Sequence, residues 1–209
     1  MVRFVVMAAG QAIRMGQDKL VMPWLDSTVL GYVLHIVLNA IKKQGFSIEL
    51  YVVARHDIEN YLSGEDIAKF KEMRGIWLQI PNPKPLAETI RIGLADLNDS
   101  VQMIGFLPGD QVGVTAQGLA ECLRCAYQLL PDFLVPMAGQ VPGSPVFFHR
   151  RYVPELLDLR GEQGGKVILH RYPERWYKFE VNESLFQDVD TPAQYQYLLA
   201  QYKQYREEI

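Results

Sequence analysis

The chain has 209 residues, more than one domain of roughly 150 residues and short for two. With 49% hydrophobic and 22% charged residues it has ample material for a core, which excludes intrinsic disorder. A net charge of -3 sets up no general field for nucleic acid or an anionic membrane, so any anionic ligand must be held by a local cluster of donors.

The apolar stretch at residues 4–8, followed by Ala9-Gly10, has some features of an export leader. Arg14 and Lys19 follow at once and the stretch is short, so it reads instead as a strand buried on both faces. No segment approaches the roughly 18 uninterrupted apolar residues of a membrane span. A cytoplasmic location is expected. The irregular stretch 10–26 ends at Ser27 or Thr28, either of which could cap a helix burying Leu30, Val33, Leu34, Val37, Leu38 and Ile41. Gly45 is a plausible stop. Residues 50–54 read as a second strand, 87–97 as a helix, and 103–107 as a buried strand leading into Pro108-Gly109-Asp110. Thr115 is a candidate cap for a helix that buries Leu119, Cys122, Leu123, Ala126 and Leu130, and residues 133–136, 145–148 and 176–181 read as further strands. Thr191-Pro192-Ala193-Gln194 marks the start of the last helix with a capping threonine, a proline at the first position and a glutamine at the third.

Strands alternating with helices imply an α/β fold: a Rossmann-like three-layer sandwich around a mostly parallel sheet. One domain over residues 1–209 is expected, with 1–115 mainly for a nucleotide and 116–209 mainly for an acceptor. Residues 139–182 are the candidate for a small projecting piece.

The first chemical constellation is Ala8-Ala9-Gly10-Gln11-Ala12-Ile13-Arg14-Met15-Gly16-Gln17-Asp18-Lys19. It follows a buried strand, and so stands at the carboxyl end of a parallel sheet, where such folds bind ligands. Small residues at 8, 9, 10 and 16 let backbone amides approach an anion. Arg14 offers a planar fork to phosphate and Lys19 a mobile point charge. The competing reading is a surface loop with two solvated cations. It is not a P-loop, because no glycine-lysine-serine/threonine triplet is present.

Residues 5–23 resemble the signature loop of the MobA-like nucleotidyltransferase superfamily, and most closely that of the molybdenum cofactor cytidylyltransferases (MocA-like). The guanylyltransferase branch usually carries a second glycine where this chain has Ala9. Gly109-Asp110-Gln111 resembles the family's glycine-aspartate motif, and Asp188-Val189-Asp190-Thr191-Pro192 its motif before the last helix. The resemblance implies a nucleotide-diphospho-sugar transferase type of fold. It also implies Mg²⁺ held by Asp110 and Asp190, with Asp188 as the alternative second ligand. Magnesium is usually bound by one or two carboxylates together with phosphate oxygens and waters. The competing readings are a turn aspartate at 110 and a helix-terminus charge at 190.

The implied reaction is attack by a substrate phosphate on the α-phosphorus of CTP, with Arg14, Lys19 and Asp110 as the catalytic set. Ala8, Ala9, Gly10, Gly16, Gly109 and Asn82 would form the nucleotide's bed. Asn82 reads equally well as a turn residue, and Ala87, Glu88 and Thr89 stand where the family has serines.

On the acceptor side the implied partner is molybdopterin-bound molybdenum cofactor. Beyond it stand a molybdenum hydroxylase such as xanthine dehydrogenase or its maturation chaperone. Departures cluster here. Val141 replaces a basic residue, Ser144 a histidine, Glu162 an aspartate and Val112 a proline. Gly164-Gly165 could present helix amides to an anion or simply start a helix. Two alternatives stand beside this reading: the departures at Val141, Ser144 and Glu162 point to transfer to another phosphorylated acceptor such as a sugar phosphate, and the altered nucleoside segment to a non-catalytic cofactor carrier.

Cys122 and Cys125 are too few for a disulfide framework and read as core of one helix. His35, His56, His149 and His170 have no metal-like companions in sequence. The tyrosines at 195, 197, 202 and 205 read as a packing face or a subunit contact.

Overall fold

The computed structural model describes residues 1–10 and 18–207. The first apolar run forms β1 (Val2–Ala8), buried throughout except for a partly exposed Met7. It pairs in parallel with β4 (Ile48–Ala54) on one side and β6 (Met103–Pro108) on the other. Beyond β4 lies β5 (Ile76–Gln79), also parallel. Beyond β6 lie β9 (Val146–His149), antiparallel to both its neighbours, then β7 (Phe133–Ala138) and β10 (Trp176–Glu180). The order across the sheet is β10-β7-β9-β6-β1-β4-β5, with the short β8 (Val141–Pro142) pairing β7. A separate antiparallel pair is made by β2 (Pro23–Trp24) and β3 (Ser27–Thr28).

Although β1 is apolar at nearly every position, its side chains sort by the two-residue period of a strand. Phe4, Val6 and Ala8 join one core cluster, and Val5 joins the other with Ala9 just past the strand end. The first cluster packs under α1 (Val29–Lys42), α4 (Ala116–Leu129) and α7 (Pro192–Glu207); the second under α3 (Leu86–Gly93), α5 (Val153–Leu157) and α6 (Lys166–Leu169). This is the three-layer, mostly parallel arrangement expected from the alternation of strands and helices. Residues 139–182 supply β9 and β10 to the sheet.

The caps agree with the sequence: Thr28 accepts from the Gly31 amide at 2.9 Å and Thr115 from the Gly118 amide at 3.1 Å. The helix expected over 87–97 stops earlier, at Gly93. Arg3, almost wholly buried in β1, donates to the carbonyls of Ala95 at 2.6 Å and Asp96 at 3.1 Å, while its Nε binds Glu49 at 2.8 Å. Buried charge must be paired, and these carbonyls satisfy it, drawing the chain out of helical geometry; Asp96 lies at φ +49°. The periodicity also gave no signal for α2 (Gly64–Glu72), capped by Ser63, because it buries only Phe70. No helix among the described residues is long and apolar enough to cross a membrane.

Chain order along the sheet runs β1, β4, β5 to one side, then returns to place β6 on the other side of β1. That reversal opens a crevice at the carboxyl ends of β1 and β6, the usual ligand position in such sheets.

Candidate active site

The crevice is closed at its base by backbone. Met7 and Pro108 are opposed in the β1–β6 ladder, and the Gly109 amide donates to the Met7 carbonyl at 2.9 Å. A Cβ on Gly109 would stand 2.9 Å from Leu30 Cδ1 and 3.2 Å from Ala8 Cβ. Glycine is therefore what lets the chain leave β6 this close to β1, and the next residue, Asp110, emerges beside Ala8.

A third segment is tied to the same point. The Val189 amide donates to the Asp110 carbonyl at 3.1 Å. One residue further on, Asp190 is fixed by the cap of α7: Gln194 Oε1 accepts from the Asp190 amide at 3.2 Å, while the Gln194 amide donates to Thr191 Oγ1 at 3.2 Å. Helix entry and Asp190 are thus set together.

Lys19 joins the two carboxylates. It stands first in a 3-10 turn, Lys19–Val21, and its ammonium donates to Asp190 Oδ1 at 2.8 Å and pairs with Asp110 Oδ2. The Lys19 and Asp110 side chains are 16% and 14% exposed. Burial alone would lower the Lys19 pKa, but the charges of Asp110 and Asp190 and their hydrogen bonds outweigh it and hold the ammonium above its ordinary value. Asp188, two residues before Asp190, is pushed up by burial first and then by the charges of Asp190 and Asp110.

Two hollows flank this cluster. The smaller, about 160 Å³, is lined by Met7, Ala8, Gly10, Asp18, Lys19, Leu20, Gly109 and Asp110. It therefore gathers Ala8, Gly10, Lys19, Gly109 and Asp110 from the set expected on sequence. Ala9 is buried beneath it, with its carbonyl accepting from the Lys84 amide at 3.2 Å. Asn82 is exposed in the bend after β5 and lines neither hollow. Arg14 and Gly16 lie outside the described residues.

The larger cavity, about 810 Å³, has mostly apolar walls, including Leu86, Ile90, Phe106, Phe148 and Phe186. Among the described residues that line it, Lys166 is the one cation, against the carboxylates Glu162 and Asp188. Ser144, Glu162, Gly164 and Gly165 all reach this wall, whereas Val141 is an exposed residue outside it. Met7 lines both hollows. The buried Gln111 braces the cavity by donating to the carbonyls of Ser144 and Leu185, each at 2.7 Å.

The structure also adds residues that the motifs did not single out. Asp18 Oδ1 accepts from the Leu20 amide at 3.1 Å, and Oδ2 meets His56 Nε2 at 3.0 Å and Arg55 Nη1 at 3.3 Å. An aspartate capping a short turn is a recognisable local signal; its partners, 37 and 38 residues away, are not. The cysteines fall in α4, with Cys122 fully buried and its thiol pushed up to about 12 by burial. Tyr195 and Tyr202 pack against Trp24, while Tyr197 is exposed.

Two carboxylates converging on one ammonium provide hard oxygen donors at one point. Among the described residues there is no group of three or more His, Cys, Asp or Glu arranged to hold a metal. The pair suits a cation whose remaining ligands come from phosphate and water.

The model of the MobA-like NTP transferase domain matches residues 4–176. The chain belongs to this family. A comparison with curated proteins gave no match. Among solved structures the MobA-like chain is similar to Rv0371c from Mycobacterium tuberculosis H37Rv, with 25% identity and a TM-score of 0.72 over 95% of this chain and 97% of that one. The same protein in complex with manganese matches at 25% identity and a TM-score of 0.71, over 95% and 98% of the two chains. Molybdopterin-guanine dinucleotide biosynthesis protein A from Archaeoglobus fulgidus aligns over the full length of both chains, at 16% identity and a TM-score of 0.58. The mixed, mostly parallel sheet with its flanking helices matches the fold of nucleotide-diphospho-sugar transferase neighbours, and the protein is of the nucleotidyltransferase class.

Proposed function

We propose that this MobA-like protein is a metal-dependent cytidylyltransferase that joins CTP to molybdopterin-bound molybdenum cofactor and releases pyrophosphate. The observation that carries the reading is the Lys19 bridge between Asp110 and Asp190 at the sheet's switch point, beside a cavity large enough for an acceptor. We read residues 1–209 as a single unit divided by function, the smaller hollow for the triphosphate and the larger for the acceptor.

An acceptor phosphate oxygen bonds to the α-phosphorus of CTP as the bond from that phosphorus to the bridging oxygen breaks, and pyrophosphate leaves with the electron pair. The acceptor phosphate is already ionised, so no general base is needed. Asp110 and Asp190 would hold the divalent ion, Mg²⁺ in our reading. When bound, the ion would neutralise the triphosphate and orient the reacting oxygens. The manganese complex of Rv0371c supports a divalent site in this fold. Lys19 is already charged and fixed near both carboxylates, so it is ready to take the negative charge that builds on the leaving pyrophosphate. We assign Arg14 the same duty. We assign the backbone at Ala8, Gly10 and Gly109, which lines the smaller hollow, and at Ala9 beneath it to the bed that phosphate oxygens approach. Gly16 is assigned to the same bed through its motif alone, and Asn82 to the nucleoside.

Ala9 underlies the choice of CTP over GTP. The apolar, aromatic wall of the large cavity favours the flat ring system of a pterin over a sugar phosphate, whose hydroxyls would find few partners there. Delivery of the product to a molybdenum hydroxylase such as xanthine dehydrogenase, directly or through its chaperone, completes the reading.

The second reading, another phosphorylated acceptor, rests on Ser144 and Glu162, which line the cavity where the family pattern has different side chains.

Titration calorimetry with CTP, GTP and ATP in magnesium, on wild type and Asp110→Ala, tests the nucleotide half. We expect CTP to bind best, and turnover in the variant to fall by about 10²–10³-fold, the scale of one lost electrostatic contact to a transferring group. A preference for GTP would move the protein to guanylyl transfer; no magnesium-dependent binding of any triphosphate would leave a carrier. A panel of acceptors with CTP then separates the two acceptor readings: product from a sugar phosphate and none from the pterin would overturn the first.

A further inference from the structure

Lys19 reaches its carboxylates from a turn of only three residues, too short to hold its own geometry, since a single hydrogen-bonded turn is costly to nucleate. Something outside the turn must fix it. Asp18 and Lys19 are consecutive, yet their side chains are tied to opposite sides of β1. Lys19 goes to Asp110 after β6 and Asp190 before α7, whereas Asp18 goes to Arg55 and His56, which directly follow β4. Because β4 and β6 are the two neighbours of β1, residues 18–19 span the switch point from one bank to the other.

The far anchorage is itself built. The His56 carbonyl accepts from Trp77 Nε1 at 3.1 Å, and its ring lies against that of Tyr61, whose centroid is 5.9 Å away. Tyr61 in turn packs on Trp77 at 5.8 Å. The Asp18 carboxylate is 13% exposed, so its pairing is not a solvated surface contact of the kind worth little, and its Oδ1 also caps the turn through Leu20.

We propose that Asp18 is a positioning residue for the transfer reaction: it clamps the Lys19 turn to the end of β4, and so sets where the Lys19 ammonium stands between Asp110 and Asp190. This rests on the reading of Lys19 as the phosphate-side cation, but the placement can be measured without any nucleotide. In Asp18→Ala both the cap and the ion pairs are lost; in Asp18→Asn the cap to Leu20 can persist while the ion pairing to the β4 bank is lost.

The test is mass-spectrometric lysine labelling of the full chain by an amine-reactive reagent, with the solvent-facing Lys42 and Lys43 as internal references, run beside magnesium–CTP turnover. Labelling of Lys19 is expected to rise about fivefold in Asp18→Ala, the scale of one lost cap. The Asp18→Asn variant should fall between Asp18→Ala and wild type. In turnover, kcat should fall more than the KM for CTP rises, because the displaced ammonium serves the transition state more than the ground state. Lys19 labelled at the wild-type rate in Asp18→Ala, with an unchanged melting point, would overturn the proposal. If Asp18→Ala does not fold, Arg55→Ala with His56→Ala removes the same clamp and leaves the cap; wild-type labelling there would overturn it equally. A wild-type protein that turns over no triphosphate would sink the enzymatic reading and leave the labelling result to decide the clamp.

Discussion

The two hollows beside Lys19 are built on opposite principles. The small one is made of strand ends and backbone: Ala8 ends β1 and Gly10 lies just past it, Gly109 and Asp110 follow β6, and the sheet ladder fixes all four within two residues of a paired strand. The large one is assembled from distant pieces (Leu86 of α3, Phe148 of β9, Gly164 before α6, Phe186 before α7), none of them neighbours in the chain. A charge-dense site needs a few atoms held rigidly, which a parallel sheet supplies at its switch point. A site for a bulky ligand needs area and shape, which short irregular elements supply at the cost of any compact motif. The first site is thus defined by where the backbone goes, the second by what packs against it.

That contrast can be attacked first through Trp24. It is fully buried, with the rings of Tyr32, Tyr195 and Tyr202 at 5.4–6.1 Å, and the Tyr195 hydroxyl donates to the neighbouring Pro23 carbonyl. The cluster docks α7, whose cap holds Asp190. Trp24→Ala should cost about 3–5 kcal/mol of stability in urea unfolding and weaken magnesium–CTP binding, although Trp24 touches neither hollow. Trp24→Phe should cost less, because the indole nitrogen is buried without a partner among the described residues. Unaltered nucleotide binding in a clearly destabilised Trp24→Ala would show that the small site does not depend on how α7 is docked.

Lys166 sharpens the comparison from the other side. As the one cation among the described residues that line the large cavity, it is the natural partner for the acceptor's phosphate. Lys166→Ala is expected to raise the acceptor KM about tenfold, the worth of one charge-assisted hydrogen bond, with the calorimetric affinity for CTP unchanged. A loss of CTP affinity of the same size would mean that the two hollows are not separable.

The same division governs how much could be read from the sequence. Asp110 and Asp190 were legible because each is placed by local grammar, one at the end of an apolar run and the other before a capped helix. The resemblance implied that the two share a metal ion, but their common pairing with Lys19 is visible only in the folded chain. The fold followed from alternating apolar runs and caps. What escaped depends on long-range pairing. Arg3 shortens α3 from 92 residues away through Ala95, and His56 finds Asp18 only because β4 lies beside β1. Ser144 and Glu162 stood out as departures from a pattern, but only the folded chain puts both on one wall. Asn82, read equally as a turn residue or a nucleoside contact, is an exposed bend residue in the structure.

The smallest expected effect concerns His149, at the end of β9, the strand that carries Phe148 to the cavity wall. Its Nδ1 accepts from the Arg151 amide at 3.2 Å, a bond available only to the neutral ring. Burial, and next the charge of Arg151, lower its pKa, with Asp132 opposing. The folded protein therefore binds the proton less readily than the unfolded chain. His149 contributes stability that is present above the ordinary histidine value of 6.5 and is lost as pH falls through the depressed folded value. His149→Asn keeps a capping acceptor without a titration in this range, so wild type should lose stability relative to the variant only on acidification. The expected difference is a few tenths of a kcal/mol, since the ring is partly exposed. Amide exchange should place the acid loosening in β9 and the adjoining turn, with the Lys19–Asp110–Asp190 edge unaffected. A stability difference that does not change from neutral to acid pH would show that His149 carries no such charge dependence, and the acceptor wall would then lack the acid sensitivity that separates it from the triphosphate edge.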